Sequence, residues 1–347
     1  MPIQKNILIV KYGALGDVVR TSFFAKPLRT LKPLGDSHVR LYWLTAPQSA
    51  PLLRFNPYID VIATDPNEIK DIQFEEIYSL DDEADILVNV GKFNSQKIVG
   101  ASISSEGLKE YCDRSAPWFD MGLLSRHGKE YADNLKRLNK RSHSEIFKDI
   151  FQVDQVDFNF YNSFYLNNKI YDLIQRISEG KVAIGLNAFA GKRWPAKALP
   201  DEELPKLAQK LSRLTFNGQP SHIFLIGSGQ DLYRNQDFIK SDAAPENITA
   251  LNTDSNILEL AAAVRSLKLL VTTDSLCLHL AVGQQVPTVA FFAPTSAAEI
   301  ENLSNIRKIM SLSDDYCNYK PNSDNSTITS ERIIFEVSQL LGSSIDA

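Results

Sequence analysis

Residues 269–295, LLVTTDSLCLHLAVGQQVPTVAFFAPT, hold the densest set of groups able to grip an anion. The apolar run 269–271 is short, continuous and partly β-branched, which predicts a buried strand. It ends abruptly in Thr272, Thr273, Asp274 and Ser275. Ser275 is placed to cap the helix LCLHLAVG, with Gly283 as its stop. A second apolar strand, 289–292, runs into Ala293, Pro294 and Thr295. Two strands thus deliver polar residues to one sheet edge, with a helix starting between them. The first amides of a helix lack intrahelical acceptors and carry the positive end of its dipole, so they suit a phosphate-bearing ligand.

Three further groups could do chemistry. Gly191-Lys192-Arg193-Trp194-Pro195 sets two cations in a glycine loop just after a predicted strand, where they can neutralise a diphosphate or stand as an exposed basic loop. Asp17 falls in the first turn of a predicted helix, after the turn Lys11-Tyr12-Gly13-Ala14-Leu15-Gly16. There it can act at the sheet edge or simply complement the helix dipole. On pattern alone His279 reads as a packed helix histidine ahead of a ligand contact. The acidic run Asp81, Asp82, Glu83 and Asp85 reads as a solvated turn rather than a metal site.

The elements that must position these groups follow an α/β rhythm. In the first half, a strand at 7–10, a glycine-bearing turn and a helix from 18 to about 31 open as Rossmann-like domains do. The turn is not G-x-G-x-x-G, so a dinucleotide fingerprint is absent. Strands are expected at 39–44, 61–63 and 86–90, and helices at 47–55 and 144–151. Between 91 and 141 strand signals are few. Tyr111, Arg114, Trp118, Phe119, Arg126, Lys129 and Tyr131 there mix aromatic and basic character suited to an anionic acceptor, or to packing helices. Residues 158–164 alternate like a strand. A new series of strands and helices restarts at 181–187 and continues through 201–214, 221–229, 230–239, 248–251 and 255–267. Each strand of this half ends in polar or glycine residues, and in a parallel sheet those ends line one crevice. The expected division is 1–167, 168–328, and a last helical segment, 329–347, packing back on the core.

Composition narrows the class. A length of 347 residues suits about two domains. Hydrophobic content of 44% and charged content of 23% are those of a soluble globular protein. A net charge of −5 argues against bulk capture of nucleic acid. No apolar run approaches the ~20 residues of a membrane span, and the N-terminus lacks the features of a secretory signal. Cys112, Cys277 and Cys317 are too few and too scattered for a disulfide frame or zinc cluster. The expectation is a cytoplasmic enzyme.

Taken together, KYGALGDVVRT, GKRWP and the 269–295 stretch resemble the ADP-heptose:lipopolysaccharide heptosyltransferases, glycosyltransferase family 9, in the family's order and over essentially the whole chain. The resemblance implies a GT-B fold, two Rossmann-like domains with parallel sheets facing across a cleft, acceptor on the first and nucleotide sugar on the second. It implies an inverting displacement, with no obligatory metal, that moves heptose from ADP-heptose to a lipopolysaccharide-core or other envelope glycan. Asp17 matches the catalytic carboxylate of the L-G-D turn and would be the general base. Lys192 matches the lysine of K-x-W-P and would hold the diphosphate. Asp274, Ser275 and His279 match D-[ST]-x-x-x-H, with Asp274 accepting from sugar hydroxyls and Leu276 and Cys277 at the phosphate-facing helix start. Asp231 falls near the ribose, and Ser255 and Ile257 near the base. Lys11, Gly16, Arg20 and Arg114 are assigned to the acceptor. Where the family has glycine after D-[ST] this chain has Leu276, for G-P-T it has Ala293-Pro294-Thr295, and Asn187 and Ala188 replace hydroxyl residues. The expected partners are a nucleotide sugar and a glycan or glycolipid, with peripheral contact at the inner membrane face. A sugar-nucleotide epimerase of the same fold and a non-catalytic nucleotide-sugar-binding homologue are the alternatives.

Overall fold

The computed structural model describes residues 4–30, 38–191, 194–253, 256–342 and 345–346, and its contacts divide the chain into two units, 1–161 and 162–347. In the first unit the elements are β1 (Gln4–Val10), α1 (Leu15–Ser22), α2 (Ala25–Thr30), β2 (His38–Leu44), β3 (Val61–Ala63), β4 (Glu76–Ser79), α3 (Ala84–Val90), β5 (Ile98–Ile103), β6 (Lys109–Tyr111), α4 (Lys129–Leu138) and α5 (His143–Phe151). The sheet runs β3-β2-β1-β4-β5-β6, parallel except for β6. This is the doubly wound order, whose switch point lies between β1 and β4. The continuous apolar run of β1 is explained by burial on both faces: Ile7 and Ile9 join a core with α2 and α5, while Leu8 and Val10 join one with α3.

The second unit contains α6 (Phe164–Ile177), β7 (Val182–Asn187), α7 (Glu203–Ser212), β8 (Gln219–Gly227), α8 (Gln230–Ile239), β9 (Ile248–Asn252), α9 (Ile257–Arg265), β10 (Leu269–Thr273), α10 (Leu276–Gln284), β11 (Thr288–Phe292), β12 (Ile306–Met310) and α11 (Ser330–Leu341). Its main strands are parallel in the order β9-β8-β7-β10-β11-β12, again doubly wound, with the switch point between β7 and β10. Helix α6 packs on α9, aided by the Lys169–Glu259 ion pair at 2.8 Å. Helix α11 packs on α7, where the Ser330 N–H donates to Glu203.

Several local expectations are corrected. Residues 84–90 form a helix, because Ile86, Leu87 and Val90 recur at helical spacing and are the buried ones; the strand lies earlier, over Glu76–Ser79. Residues 98–103 and 109–111 are strands inside the supposedly strand-poor segment. The helix expected over 47–55 reduces to a 3-10 turn, Ala50–Leu53, and the first helix divides into α1 and α2. No strand forms over 158–164 among the described residues. Helix α10 runs through Gly283 and ends at Gln285, which itself takes the left-handed conformation, φ 58°.

Candidate active site

In the first unit the strand β1 aims its carboxyl end at the L-G-D turn, and Asp17 sits in the first turn of α1. The turn is fastened from several sides. The Thr45 hydroxyl donates to the Lys11 carbonyl and the Ser49 hydroxyl to the Tyr12 carbonyl. The Tyr12 N–H and the Lys11 ammonium both donate to the buried Asp81 carboxylate at 2.5 Å. Lys11 also faces Asp17 at 3.9 Å, and Arg20, one turn along α1, pairs with Asp17 at 2.8 Å. Burial opposes the Lys11 charge, but Asp81 and Asp17 outweigh it and hold its pKa above the usual lysine value. Arg20 is itself buried and lies over the Trp118 ring, 5.2 Å from the centroid. The outcome is two cations and two carboxylates in which Asp17, its side chain 31% exposed, is the member open to a substrate.

Of the residues assigned to the acceptor, Lys11, Gly16 and Arg20 gather around Asp17. Arg114 does not. Its guanidinium lies over Tyr78 and contacts Glu76 and Gln152 at the amino end of β4, the opposite end of that strand from Asp81. Asp81 corrects the reading of a solvated acidic turn: it is 5% exposed and anchors the Lys11 turn. The charge run itself was the visible signal; only the neighbouring strand makes one of its members internal.

The second unit builds its site where β7, β10 and β11 end. Asn187 is the hub. Its amide N–H groups donate to the Phe189 and Ile226 carbonyls at 3.3 and 3.0 Å, and its oxygen accepts from the Thr272 and Ser275 hydroxyls at 2.9 and 2.7 Å. The side chain is thereby used in full, so Asn187 braces the strand ends rather than reaching a ligand. Ser275 occupies the N-cap position of α10, yet its hydroxyl turns to Asn187 and makes no cap hydrogen bond. The helix start therefore has no side-chain acceptor of its own. Leu276, half-buried, stands at the first helical position, and the buried Cys277 follows it. Burial pushes the Cys277 thiol up to about 12, which keeps it neutral.

Asp274, just before this helix start, is paired with Lys197: the ammonium donates to its Oδ2 at 2.7 Å and to its main-chain oxygen at 3.1 Å. Burial disfavours the Asp274 charge, but Lys197 and the nearby His279 outweigh it, holding the carboxyl far below its usual range. Lys197 was not singled out by sequence. It lies in the same basic loop, two residues after the W-P pair, and loop composition alone does not single it out as turning inward. Asp231, in the first turn of α8, accepts from the Gly191 N–H at 2.8 Å and so steadies the start of that loop. Ile257 is the first, half-buried residue of α9, behind its N-cap Asn256. Lys192 and Ser255 lie outside the described residues. No group of three or more metal-ligating side chains occurs among the described residues, and no described helix is long and apolar enough to cross a membrane.

Residues 171–328 match the family model described as glycosyltransferase family 9 (heptosyltransferase). No curated protein matches the chain in sequence. Among solved structures, the family 9 glycosyl transferase from Veillonella parvula superposes with a TM-score of 0.74 at 18% identity, covering 99% of each chain. The E. coli ADP-heptose lps heptosyltransferase II gives 0.66 at 15% identity, over 97% of this chain and 98% of that one. The E. coli heptosyltransferase WaaC with ADP gives 0.62 at 12% identity, over 96% and 99%. At these identities the likeness shows the fold, which is that of the GT-B heptosyltransferases.

Proposed function

We propose, for a chain whose residues 171–328 match the glycosyltransferase family 9 model, that it is an inverting transferase moving heptose from ADP-heptose to a hydroxyl of an envelope glycan. In this reading the acceptor oxygen attacks the anomeric carbon, Asp17 takes its proton, and the bond to the diphosphate breaks as ADP leaves. The oxocarbenium-like centre gathers positive charge, which a carboxylate stabilises, while the leaving oxygen gathers negative charge. The amides at the start of α10 and the cation of Lys192 receive that negative charge, with no obligatory metal. Lys11 and Arg20 keep the Asp17 carboxylate aimed, and they offer positive charge to a phosphorylated or acidic acceptor. A glycolipid acceptor would place the enzyme at the inner face of the cytoplasmic membrane.

The observation that carries the reading is the start of α10: the serine that would cap it is turned to Asn187, within the stretch that matches the family. An anion-accepting helix start in a doubly wound unit, beside a switch point, is suited to a nucleotide diphosphate, which supports the reading. Ligand choice among nearby structures supports adenine, since WaaC is seen with ADP. The direct test is titration calorimetry of the protein against ADP, UDP, GDP and CMP. Binding of ADP in preference to the other three is expected; binding of none of them would remove the donor assignment. Sustained ADP release from ADP-heptose in the presence of acceptor separates a transferase from a non-catalytic binder.

A further inference from the structure

We infer that Lys197 is a positioning residue for donor-sugar recognition, acting by holding Asp274 with one carboxylate edge closed and the other turned to the sugar. The inference rests on the function proposed above and adds a residue to it. The geometry is specific. The Lys197 ammonium takes Oδ2 and the main-chain oxygen of the same aspartate, so it fixes both the side chain and the backbone of Asp274 one residue before the N-cap of α10. The Thr273 hydroxyl donates to the Lys197 carbonyl, a second tie between the same two segments. On the other side, the loop that carries Lys197 is pinned from behind: Ala196 N–H donates to the Pro321 carbonyl, Leu199 N–H to the Ala188 carbonyl, and the Asn325 amide to the Ala198 carbonyl.

A lysine held this way cannot follow Asp274 if the aspartate swings, so the carboxylate has one orientation. Sugar hydroxyls would share this carboxylate with the Thr295 hydroxyl, which also lies beside it. An ammonium also keeps Asp274 ionised in a buried setting, where a neutral carboxyl would be a weaker acceptor. The side chains of both partners are 16% exposed, so neither is a surface ion pair that water would loosen. The sugar is thus read by a charged acceptor of fixed direction, while the diphosphate is read by the amides of the next turn. The two recognitions are separable.

That separability gives the test. Dissociation constants for ADP and for ADP-heptose are measured by calorimetry on the full chain, and the ratio between them reports the sugar's share of binding. Lys197→Met is expected to weaken ADP-heptose by about tenfold, the value of one hydrogen bond to a charged group, with ADP changed less than twofold. Lys197→Arg, which keeps the charge, should recover part of that loss. Because Lys197→Met leaves a buried carboxylate unpaired and could unfold the protein, Asp274→Asn and the double variant Lys197→Met/Asp274→Asn complete a cycle. In the asparagine background the Lys197 substitution should no longer change the ratio. An unchanged ratio in Lys197→Met, an equal loss for both ligands, or a full Lys197 effect persisting in the asparagine background would each overturn the inference and leave the donor assignment standing. Failure of the wild-type chain to bind either ligand would instead overturn the donor assignment and this inference together.

Discussion

At the scale of single residues, chemistry depends on which charges are spent on one another. Asp17 is held by Arg20 and Lys11, yet remains the exposed member of its group, while Asp81 is consumed inside. Asp17→Asn removes the proposed proton acceptor and keeps the shape. It should lower heptosyl transfer by about 100-fold or more with ADP affinity unchanged, read by product formation and calorimetry side by side. Equal turnover of the variant would dismiss Asp17 as the base. The thiols make a second contrast. Burial raises the Cys277 thiol, whereas at Cys112 the Ser115 hydroxyl and nearby main-chain N–H groups outweigh burial and lower it. Alkylation of the native protein at neutral pH, mapped by peptide mass spectrometry, should modify Cys112 well before Cys277 or the buried Cys317. Faster labelling of Cys277 would mean that the α10 start opens in solution.

Strands and helices set how much a change of side chain can disturb. Gly100 in β5 has φ +117°, and a Cβ there would lie 1.9 Å from the Ser79 carbonyl oxygen in the neighbouring strand β4. Backbone cannot give way as a flexible side chain can. Gly100→Ala should therefore cost on the order of 3 kcal/mol, measured as a fall in the denaturation midpoint; a cost near zero would show that the strand pair shifts freely. Asn187 joins β7, β8, β10 and the start of α10 through four hydrogen bonds. Asn187→Ala removes all four, although the Thr272 hydroxyl keeps the Thr273 carbonyl and the Ser275 hydroxyl, and a destabilisation of about 2–4 kcal/mol is expected, together with weaker ADP binding. The alternation of apolar strand and polar strand end was legible in the second half because β7 and β10 are buried on both faces and end sharply. The helix at 84–90 was not, since ADILVNV satisfies both a short buried strand and a helix with one apolar stripe. Its neighbours decide: β4 already fills the place beside β1.

For the molecule as a whole, two doubly wound units each carry their own core and their own set of polar strand ends. If the donor belongs to the second, hydrogen exchange with ADP should slow in peptides spanning 187–197 and 272–279 and leave β2 and β3 unchanged. Protection confined to the first unit would reverse the assignment. Acid stability follows from the Asp274–Lys197 pair. The folded carboxyl titrates below its unfolded value, so its contribution is fully present above about pH 4 and is lost as pH falls through the folded pKa. Urea unfolding at successive pH values should show stability falling below about pH 4 in the wild type, with a flatter course in Asp274→Asn. Parallel curves would show that the pair adds nothing to folding.

Sequence by itself determined the α/β class, the L-G-D turn, the strand-to-helix passage at 269–284 and the family likeness, because each is written in local periodicity or in the order of short motifs. It could not determine the partners of charged side chains. Lys197 and Lys192 share one basic loop, Asp81 sits in an acidic run, and Ser275 has the type of a cap. The fates of Asp81, Lys197 and Ser275 are set by groups 70 to 88 positions away: Asp81 with Lys11, Lys197 with Asp274 and Ser275 with Asn187. Only the parallel ordering of strands brings those groups within hydrogen-bonding distance, and burial then strengthens each pairing.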